Sequence, residues 1–319
     1  MFLLVIADPA ASFLKVLSQL PPDVDLVVSN NEQELKDSAP NADAILFADF
    51  NARLLMQALL QAGRLRWIHC LWTGVEGILQ PELLDHPSTL TNGRGVFRWP
   101  LADWVVSAML FFAFDLRRVI RQQEQTLWQP FLGTSLRGRT LGIVGYGSIG
   151  SAIAERARPF GMTIAALRRR PELSQNDPLV DRNYAPGEIR ELMAASDYIA
   201  VATPLTPDTR DLIGEAEIGA MKSNGVIINV GRGPVIQEPV LIQALQSGAI
   251  RGAALDVFTT EPLPAGHPFW GMSNLLLSPH TADRLEGFLD PALTCFLENF
   301  DRFRKGLPLS NVVDKRAGY

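Results

Sequence analysis

A Gly-Tyr-Gly-Ser-Ile-Gly stretch beginning at Gly145 has flanks that indicate a site for a dinucleotide. An apolar run at residues 140–144 precedes it and is typical of a buried strand, whereas residues 151–157 have a helical pattern. In this arrangement Gly145 permits the tight turn, Gly147 lets a pyrophosphate approach the backbone, and Gly150 lets helix and strand pack closely. The phosphates would lie at the helix N-terminus, where free N–H groups and the positive dipole end meet. A glycine-rich turn without a ligand is the alternative, and the flanks disfavour it.

A second apolar run, residues 162–167, leads into Arg168, Arg169 and Arg170. An NAD-binding fold usually carries an acidic residue about 20 residues past the glycines, where it bonds the ribose 2′-hydroxyl. Here no acid appears before Glu172. The planar guanidinium group donates two parallel hydrogen bonds and keeps its charge, which suits a phosphate. We therefore interpret the cofactor as NADP(H), with NAD(H) possible because a solvated basic turn on an NAD enzyme would have the same sequence.

Three further polar residues, Arg232, Glu261 and His280, each follow a different apolar run of strand character. Ligands of open α/β sheets bind beyond the carboxyl ends of the strands. Arg232 is placed where a substrate anion could be held, and glycines on both sides of it allow close approach. Since the three residues follow strands of one predicted sheet, we expect them to converge. The runs are residues 226–230, 252–257 and 275–277.

Two series of alternating strands and helices would position these residues, which predicts parallel sheets covered by helices on both faces. The first series has strand-like runs at residues 2–7, 26–28, 44–47 and 67–71, and helical patterns at 12–20, 32–38 and 51–61. The second has strand-like runs at residues 140–144, 163–167, 198–201, 226–230, 252–257 and 275–277. Residues 101–128 predict one long helix or two, and residues 286–304 predict another helix.

Composition excludes several classes of protein. A chain of 319 residues with 47% hydrophobic and 20% charged residues is typical of two globular domains. The net charge of −5 argues against a nucleic-acid surface. Two cysteines and four histidines have neither disulfide nor metal-ligand spacing, so we expect no metal and a cytoplasmic location. The apolar run at residues 104–114 is shorter than the ~20 residues of a membrane span.

Taken together, these motifs resemble the D-isomer-specific 2-hydroxyacid dehydrogenase family, and most of all its NADPH-preferring glyoxylate and hydroxypyruvate reductases. The resemblance is strong over residues 140–285 and weak before them, where it is carried chiefly by residues 73–77. Its motifs are residues 203–210 (TPLTPDTR), 229–233 (NVGRG), 253–258 (AALDVF), 261–264 (EPLP) and 278–281 (SPHT).

The resemblance implies an α/β protein of two doubly wound parallel-sheet domains. A Rossmann cofactor domain, residues 100–285, would be inserted into a flavodoxin-like substrate domain made of residues 1–99 and 286–319. The family's dimers imply a homodimer formed through residues 101–128, whose apolar character points the same way. No nucleic-acid or membrane partner is expected.

The family's mechanism implies roles for the three strand-end residues. His280 would be the acid/base that protonates the carbonyl oxygen during reduction. Glu261 would orient its ring and favour the imidazolium. Arg232 would bind the substrate carboxylate and polarise the adjacent carbonyl, stabilising the charge that develops there.

Further contacts follow from the same resemblance. In the first domain, Gly74 and Val75 would offer backbone N–H groups to the substrate carboxylate. Asp256 would bond the nicotinamide carboxamide. The remaining cofactor contacts are expected at Gly145, Gly147, Ser148, Ile149, Gly150, Arg168, Arg169, Arg170, Thr203, Pro204 and Val230.

The sequence therefore predicts an NADPH-dependent reductase of small 2-oxo acids such as glyoxylate or hydroxypyruvate. One alternative is an NAD-linked dehydrogenase of a larger 2-hydroxy acid. The other is a non-catalytic, dinucleotide-sensing protein like the family's corepressors.

Overall fold

The computed structural model describes residues 1–319, which form two compact units. The first unit comprises Met1–Phe97 and Glu286–Tyr319, and the second is Arg98–Leu285. Each unit is built on its own parallel sheet, of five strands in the first and seven in the second. The expectation of two parallel-sheet α/β domains is thereby confirmed.

The strands are β1 Phe2–Ile6, β2 Asp25–Ser29, β3 Ala44–Phe47, β4 Trp67–Cys70, β5 Thr89–Asn92, β6 Thr140–Val144, β7 Thr163–Leu167, β8 Arg182–Tyr184, β9 Tyr198–Val201, β10 Val226–Asn229, β11 Gly252–Leu255 and β12 Leu275–Leu277. The α-helices are α1 Glu32–Ser38, α2 Ala52–Leu59, α3 Pro81–Leu84, α4 Arg98–Ala113, α5 Leu116–Glu124, α6 Ser148–Ala157, α7 Ile189–Ala195, α8 Glu215–Ala220, α9 Glu238–Ser247 and α10 Asp290–Arg304.

The first unit has the strand order β2-β1-β3-β4-β5, which is the flavodoxin-like order. Its two chain segments meet at β5, where Val312 forms an antiparallel bridge with Thr91. From α10, Phe296 stacks on Trp67 of β4 at 5.7 Å between ring centroids. The helix predicted at residues 12–20 is a 3₁₀ run, Ser12–Gln19, and Ala11 before it offers no side-chain oxygen to cap the first amides.

The second unit has the order β12-β11-β10-β9-β6-β7-β8. Counted from β6, this is the Rossmann order 3-2-1-4-5-6 with a seventh strand added at one edge. All its neighbouring strands are parallel, so the carboxyl ends of β6, β9, β10, β11 and β12 lie side by side along one edge. The polar residues that directly follow these strands therefore lie along this edge of the sheet.

The apolar stretch at residues 101–128 forms two helices, since Asp115 takes a left-handed conformation, with φ of 48°, between α4 and α5. The first of them packs along α6 and buries residues on most of its sides. No single helix is long and apolar enough to cross a membrane, and α4 with α5 meets that criterion only as a pair bent by 62°.

Candidate active site

The glycine loop joins β6 to α6 in the strand–turn–helix arrangement that its sequence predicts. Gly145 has φ of 102°, and a Cβ there would lie 2.7 Å from the Thr203 amide nitrogen. A Cβ at Gly150 would lie 2.6 Å from the Gly145 carbonyl oxygen, so this glycine sets the close packing of helix on strand. By contrast, nothing lies within 4 Å of the Cβ position at Gly147, which leaves open space beside the loop.

This loop fits the diphosphate of a dinucleotide. α6 begins at Ser148, so the amides of Ser148, Ile149 and Gly150 belong to a first turn whose N–H groups have no carbonyl partner within the helix. They add to the positive end of the helix dipole. The open face at Gly147 lets a phosphate reach these donors.

The arginine turn follows β7 directly. Arg168 is half-buried, while Arg169 and Arg170 are exposed. Glu172, the first acid after them, belongs to a separate 3₁₀ turn, Pro171–Ser174. The strand end that carries an acid in NAD-type folds is therefore basic.

A hydrogen bond that the sequence did not predict holds the glycine loop to the segment after the arginine turn. The Tyr146 hydroxyl, inside the glycine stretch, donates to Asp177 Oδ2 at 2.9 Å, and burial raises the pKa of this phenol. The bond joins the glycine loop to the segment after the arginines. An aromatic residue between the first two glycines was the available signal, although nothing in the sequence identified its partner 31 residues away.

Thr203, which follows β9, is the junction between the glycine loop and the segment after β10. Thr203 is buried, and a Cβ built on Gly231 would lie 2.8 Å from its carbonyl oxygen, while a Cβ built on Gly145 would lie 2.7 Å from its amide nitrogen. The next residue, Pro204, has its carbonyl held by the Thr209 hydroxyl at 2.6 Å. Gly145 and Gly231 therefore allow the glycine loop and the segment after β10 to pack against Thr203, because a side chain at either position would clash with its backbone.

The loop that carries Arg232 is fixed by Asn229, the last residue of β10. The Asn229 side chain accepts from the Gly231 amide at 3.0 Å and donates to the Arg232 carbonyl at 3.0 Å. Val230 is buried, and its amide donates to the Val201 carbonyl. The half-buried Arg232 side chain is held in part by its own loop, since Nη1 donates to the Gly231 carbonyl at 2.8 Å.

His280 and Glu261 form an ion pair in which Nδ1 and Oε2 are 2.7 Å apart. Glu261 is held in turn by the Phe258 amide, which donates to Oε1 at 2.8 Å. The backbone at His280 is left-handed, with φ of 52°, a conformation that few side chains adopt and that is enriched at functional sites. The side chain is partly exposed, and its bond to Glu261 is made by Nδ1 and not by Nε2.

The charges around His280 set its protonation. The hydrogen bond that His280 Nδ1 donates to Glu261 raises the pKa of His280 above the ordinary value, while burial and the Arg232 charge oppose that rise. Burial would raise the pKa of Glu261, but its bonds with His280 and the Phe258 amide lower it. Because the Arg232 charge acts on both groups, the three predicted residues share one electrostatic environment.

Asp256 organises the backbone that presents His280. Its Oδ1 accepts from the Ser278 hydroxyl at 2.6 Å and from the Thr281 amide at 2.9 Å, and both oxygens accept from the Ala282 amide. Burial raises the pKa of this carboxyl. Its contact with a nicotinamide carboxamide stays a prediction, as do the other cofactor roles.

Gly74 and Val75 lie in the first unit, just past the carboxyl end of β4. Val75 is buried, and its carbonyl accepts from the Ile78 amide in a tight turn. All other residues assigned to the site belong to the second unit. The predicted substrate contacts of Gly74 and Val75 also stay a prediction.

The sequence profile of the NAD-binding domain of the D-isomer specific 2-hydroxyacid dehydrogenases matches residues 106–282. This chain belongs to that family. Membership makes it an oxidoreductase of 2-hydroxy or 2-oxo acids that uses a nicotinamide dinucleotide, as its strand-end residues and its glycine loop indicate.

Relatives named as glyoxylate or hydroxypyruvate reductases, and a solved structure of the same family, match most of the chain. A glyoxylate reductase of Aeropyrum pernix is 34% identical over 89% of this chain and 87% of its own length. Glyoxylate/hydroxypyruvate reductase B of Serratia proteamaculans is 30% identical over 91% of this chain and 90% of its own length. A D-isomer specific 2-hydroxyacid dehydrogenase from Xanthobacter autotrophicus, crystallised with NADPH and MES, is 26% identical and covers 99% of both chains with a TM-score of 0.86.

Proposed function

We propose that this protein is an NADPH-dependent reductase of small 2-oxo acids, with glyoxylate and hydroxypyruvate as the leading substrates. The observation that carries the proposal is the His280–Glu261 pair, whose Nδ1 and Oε2 atoms are 2.7 Å apart. The Arg232 charge acts on this pair, and the pair follows strands of the same sheet that carries the glycine loop. A 2-oxo acid offers the matching groups, a carboxylate for the arginine and a carbonyl oxygen for the acid. The names of the Aeropyrum and Serratia relatives support the choice of substrate.

Each residue contributes one part of the reaction. Arg232 binds the carboxylate and polarises the neighbouring carbonyl. His280, kept protonated by Glu261, donates its proton from Nε2 to the carbonyl oxygen. When bound, the nicotinamide cofactor supplies the hydride.

Initial rates with NADPH and NADH against a panel of 2-oxo acids test the function. We expect the highest kcat/KM for NADPH with glyoxylate or hydroxypyruvate. The panel includes larger acids, because turnover confined to NADH and a larger acid would contradict the proposal in favour of an NAD-linked dehydrogenase. Cofactor binding without oxidation by any acid would instead indicate a dinucleotide-sensing protein.

Cofactor choice depends on Arg168, Arg169 and Arg170. A charge-assisted hydrogen bond contributes about 1.5–3 kcal/mol, so losing one that reaches the 2′-phosphate costs about 10- to 100-fold. We expect at least one of the three single alanine variants to lower kcat/KM for NADPH by this factor and to leave kcat/KM for NADH nearly unchanged. Exposed Arg137, replaced by alanine, is the control. Equal losses with both cofactors would contradict a phosphate contact.

The pH dependence of reduction follows from the His280–Glu261 pair. Reduction requires the imidazolium, so the rate falls as the pH rises through the pKa of His280, which Glu261 holds above its ordinary value. The E261Q variant removes the negative charge, which lowers this pKa. We therefore expect its alkaline limb in a plot of kcat/KM against pH to move to lower pH, and an unmoved limb would contradict the pairing.

The protein is further proposed to form a homodimer through α5 and the residues after it. No residue of α5 is buried, and Ile120, Trp128 and Leu132 are 53%, 95% and 98% exposed. Apolar surface of this extent is typical of a subunit interface. We expect light scattering at micromolar concentration to give twice the chain mass of 35.1 kDa. The double variant I120E/W128E should give one chain mass, and a monomeric wild type would refute the proposal.

A further inference from the structure

The segment between β11 and β12 carries Glu261 and makes a second His–Glu pair that the catalytic roles do not use. His267 Nε2 and Glu238 Oε1 are 3.2 Å apart, and both side chains are largely buried, at 15% and 21% exposure. His267 caps the N-terminus of the 3₁₀ turn Pro268–Gly271, since its Nδ1 accepts from the Phe269 amide at 3.3 Å. A ring nitrogen that accepts carries no proton, so the neutral ring is protonated at Nε2 and donates to Glu238.

Glu238 also reaches the backbone next to the catalytic pair. It is the first residue of α9, and its Oε2 accepts from the Thr259 amide at 3.4 Å. The adjacent amide, that of Phe258, is the one that donates to Glu261 at 2.8 Å. Two consecutive amides, those of Phe258 and Thr259, therefore donate to two different carboxylates.

The Phe258–Thr259 peptide lies directly against the backbone at Gly233. A Cβ built on Gly233 would lie 2.0 Å from the Phe258 carbonyl carbon and 2.4 Å from the Thr259 nitrogen, so the backbone after Arg232 presses against this peptide. The Phe258 ring packs against Phe269, with centroids 6.2 Å apart, and Phe269 in turn packs on His267 at 4.7 Å. The contacts form one continuous set from His267 to Glu261.

We propose that Glu238, held by His267, is a positioning residue that fixes the Phe258–Thr259 peptide and so aims the Glu261 carboxylate at His280. The inference rests on the proposed reductase function. It adds to the proposed site a largely buried pair, His267 and Glu238, that acts through Glu261.

The test compares E238A with wild type in the reduction of glyoxylate by NADPH. A looser Glu261 favours the imidazolium less, so the alkaline limb of the kcat/KM profile should move to lower pH, by less than in E261Q. We expect kcat to fall about tenfold, as when the hydrogen-bond partner of a site residue is removed, with the dissociation constant for NADPH unchanged. The control is E215A, which removes an exposed glutamate from the same position of α8.

The double variant E238A/E261Q separates positioning from general loosening. If Glu238 acts through Glu261, adding E238A to E261Q should leave the pH limb where E261Q alone places it, because coupled residues are not additive. E238Q, which keeps an acceptor oxygen, should restore most of kcat. Equal losses of kcat in both backgrounds with no shift of the limb would overturn the proposal.

H267N gives an independent measurement should E238A fail to fold. Asparagine can still accept from the Phe269 amide as an N-cap but loses the bond to Glu238. We expect the same direction of pH shift in H267N, and an unmoved limb would overturn the proposal. A wild type that reduces none of the 2-oxo acids would overturn the reductase function itself, which distinguishes the two failures.

Discussion

Replacing His280 with alanine should lower kcat for the reduction of glyoxylate by about 10²- to 10⁴-fold, the range for loss of a positioned general acid. The ring supplies the proton that neutralises the developing alkoxide. Glu261 cannot donate a proton to this oxygen in its place, because its pKa is lowered and it stays a carboxylate. NADPH should bind to the variant with nearly unchanged affinity, because the glycine loop and the arginine turn do not involve this side chain. Stopped-flow single turnovers together with fluorescence titration of NADPH measure both quantities.

Two companion variants strengthen the His280 experiment. H280N keeps a residue type that tolerates the left-handed backbone at this position, so a loss shared by H280A and H280N cannot be assigned to backbone strain. H86A, in the first unit, makes the same deletion at a histidine outside the site and should retain wild-type turnover. If H280A keeps turnover within about tenfold of wild type, the assignment of the acid is wrong.

Local pattern was sufficient to predict most of the fold. Strands buried on both faces, such as β3 and β9, are uninterrupted apolar runs, and the glycine stretch predicts the turn between β6 and α6. Two strands escaped prediction, β5 (TLTN) and β8 (RNY), because their polar composition conceals them. Each is the last strand at one edge of its sheet, and β5 has a further partner in the antiparallel bridge between Thr91 and Val312.

The site shows the same division between local and distant information. Spacing after strands identified Arg232, Glu261 and His280 as candidates, since the carboxyl ends of parallel strands share one edge. Spacing could not identify what holds them. Ser278 reaches Asp256 across 22 residues, and His267 reaches Glu238 across 29. Such partners depend on how loops return across the sheet, which no periodicity records.

Replacing Arg232 with alanine should lower kcat/KM for 2-oxo acids by about 10²- to 10³-fold, as when a donor to a developing oxyanion is removed. KM should rise because the carboxylate loses its partner, and kcat should fall because the carbonyl is less polarised. R232K should recover only part of the loss, because an ammonium group keeps the charge without the paired, planar donors. Exposed Arg190 on α7, replaced by alanine, is the matched control and should leave both constants unchanged.

The residual activity of R232A gives a second, independent measurement. The Arg232 charge lowers the pKa of His280, whereas Glu261 raises it. Without that positive charge the imidazolium persists to higher pH, so the alkaline limb of R232A should move upward. The limb of E261Q should move downward from the same wild-type position. Shifts of opposite sign require both charges to act on one histidine, and limbs that moved together would place Arg232 outside the environment of His280.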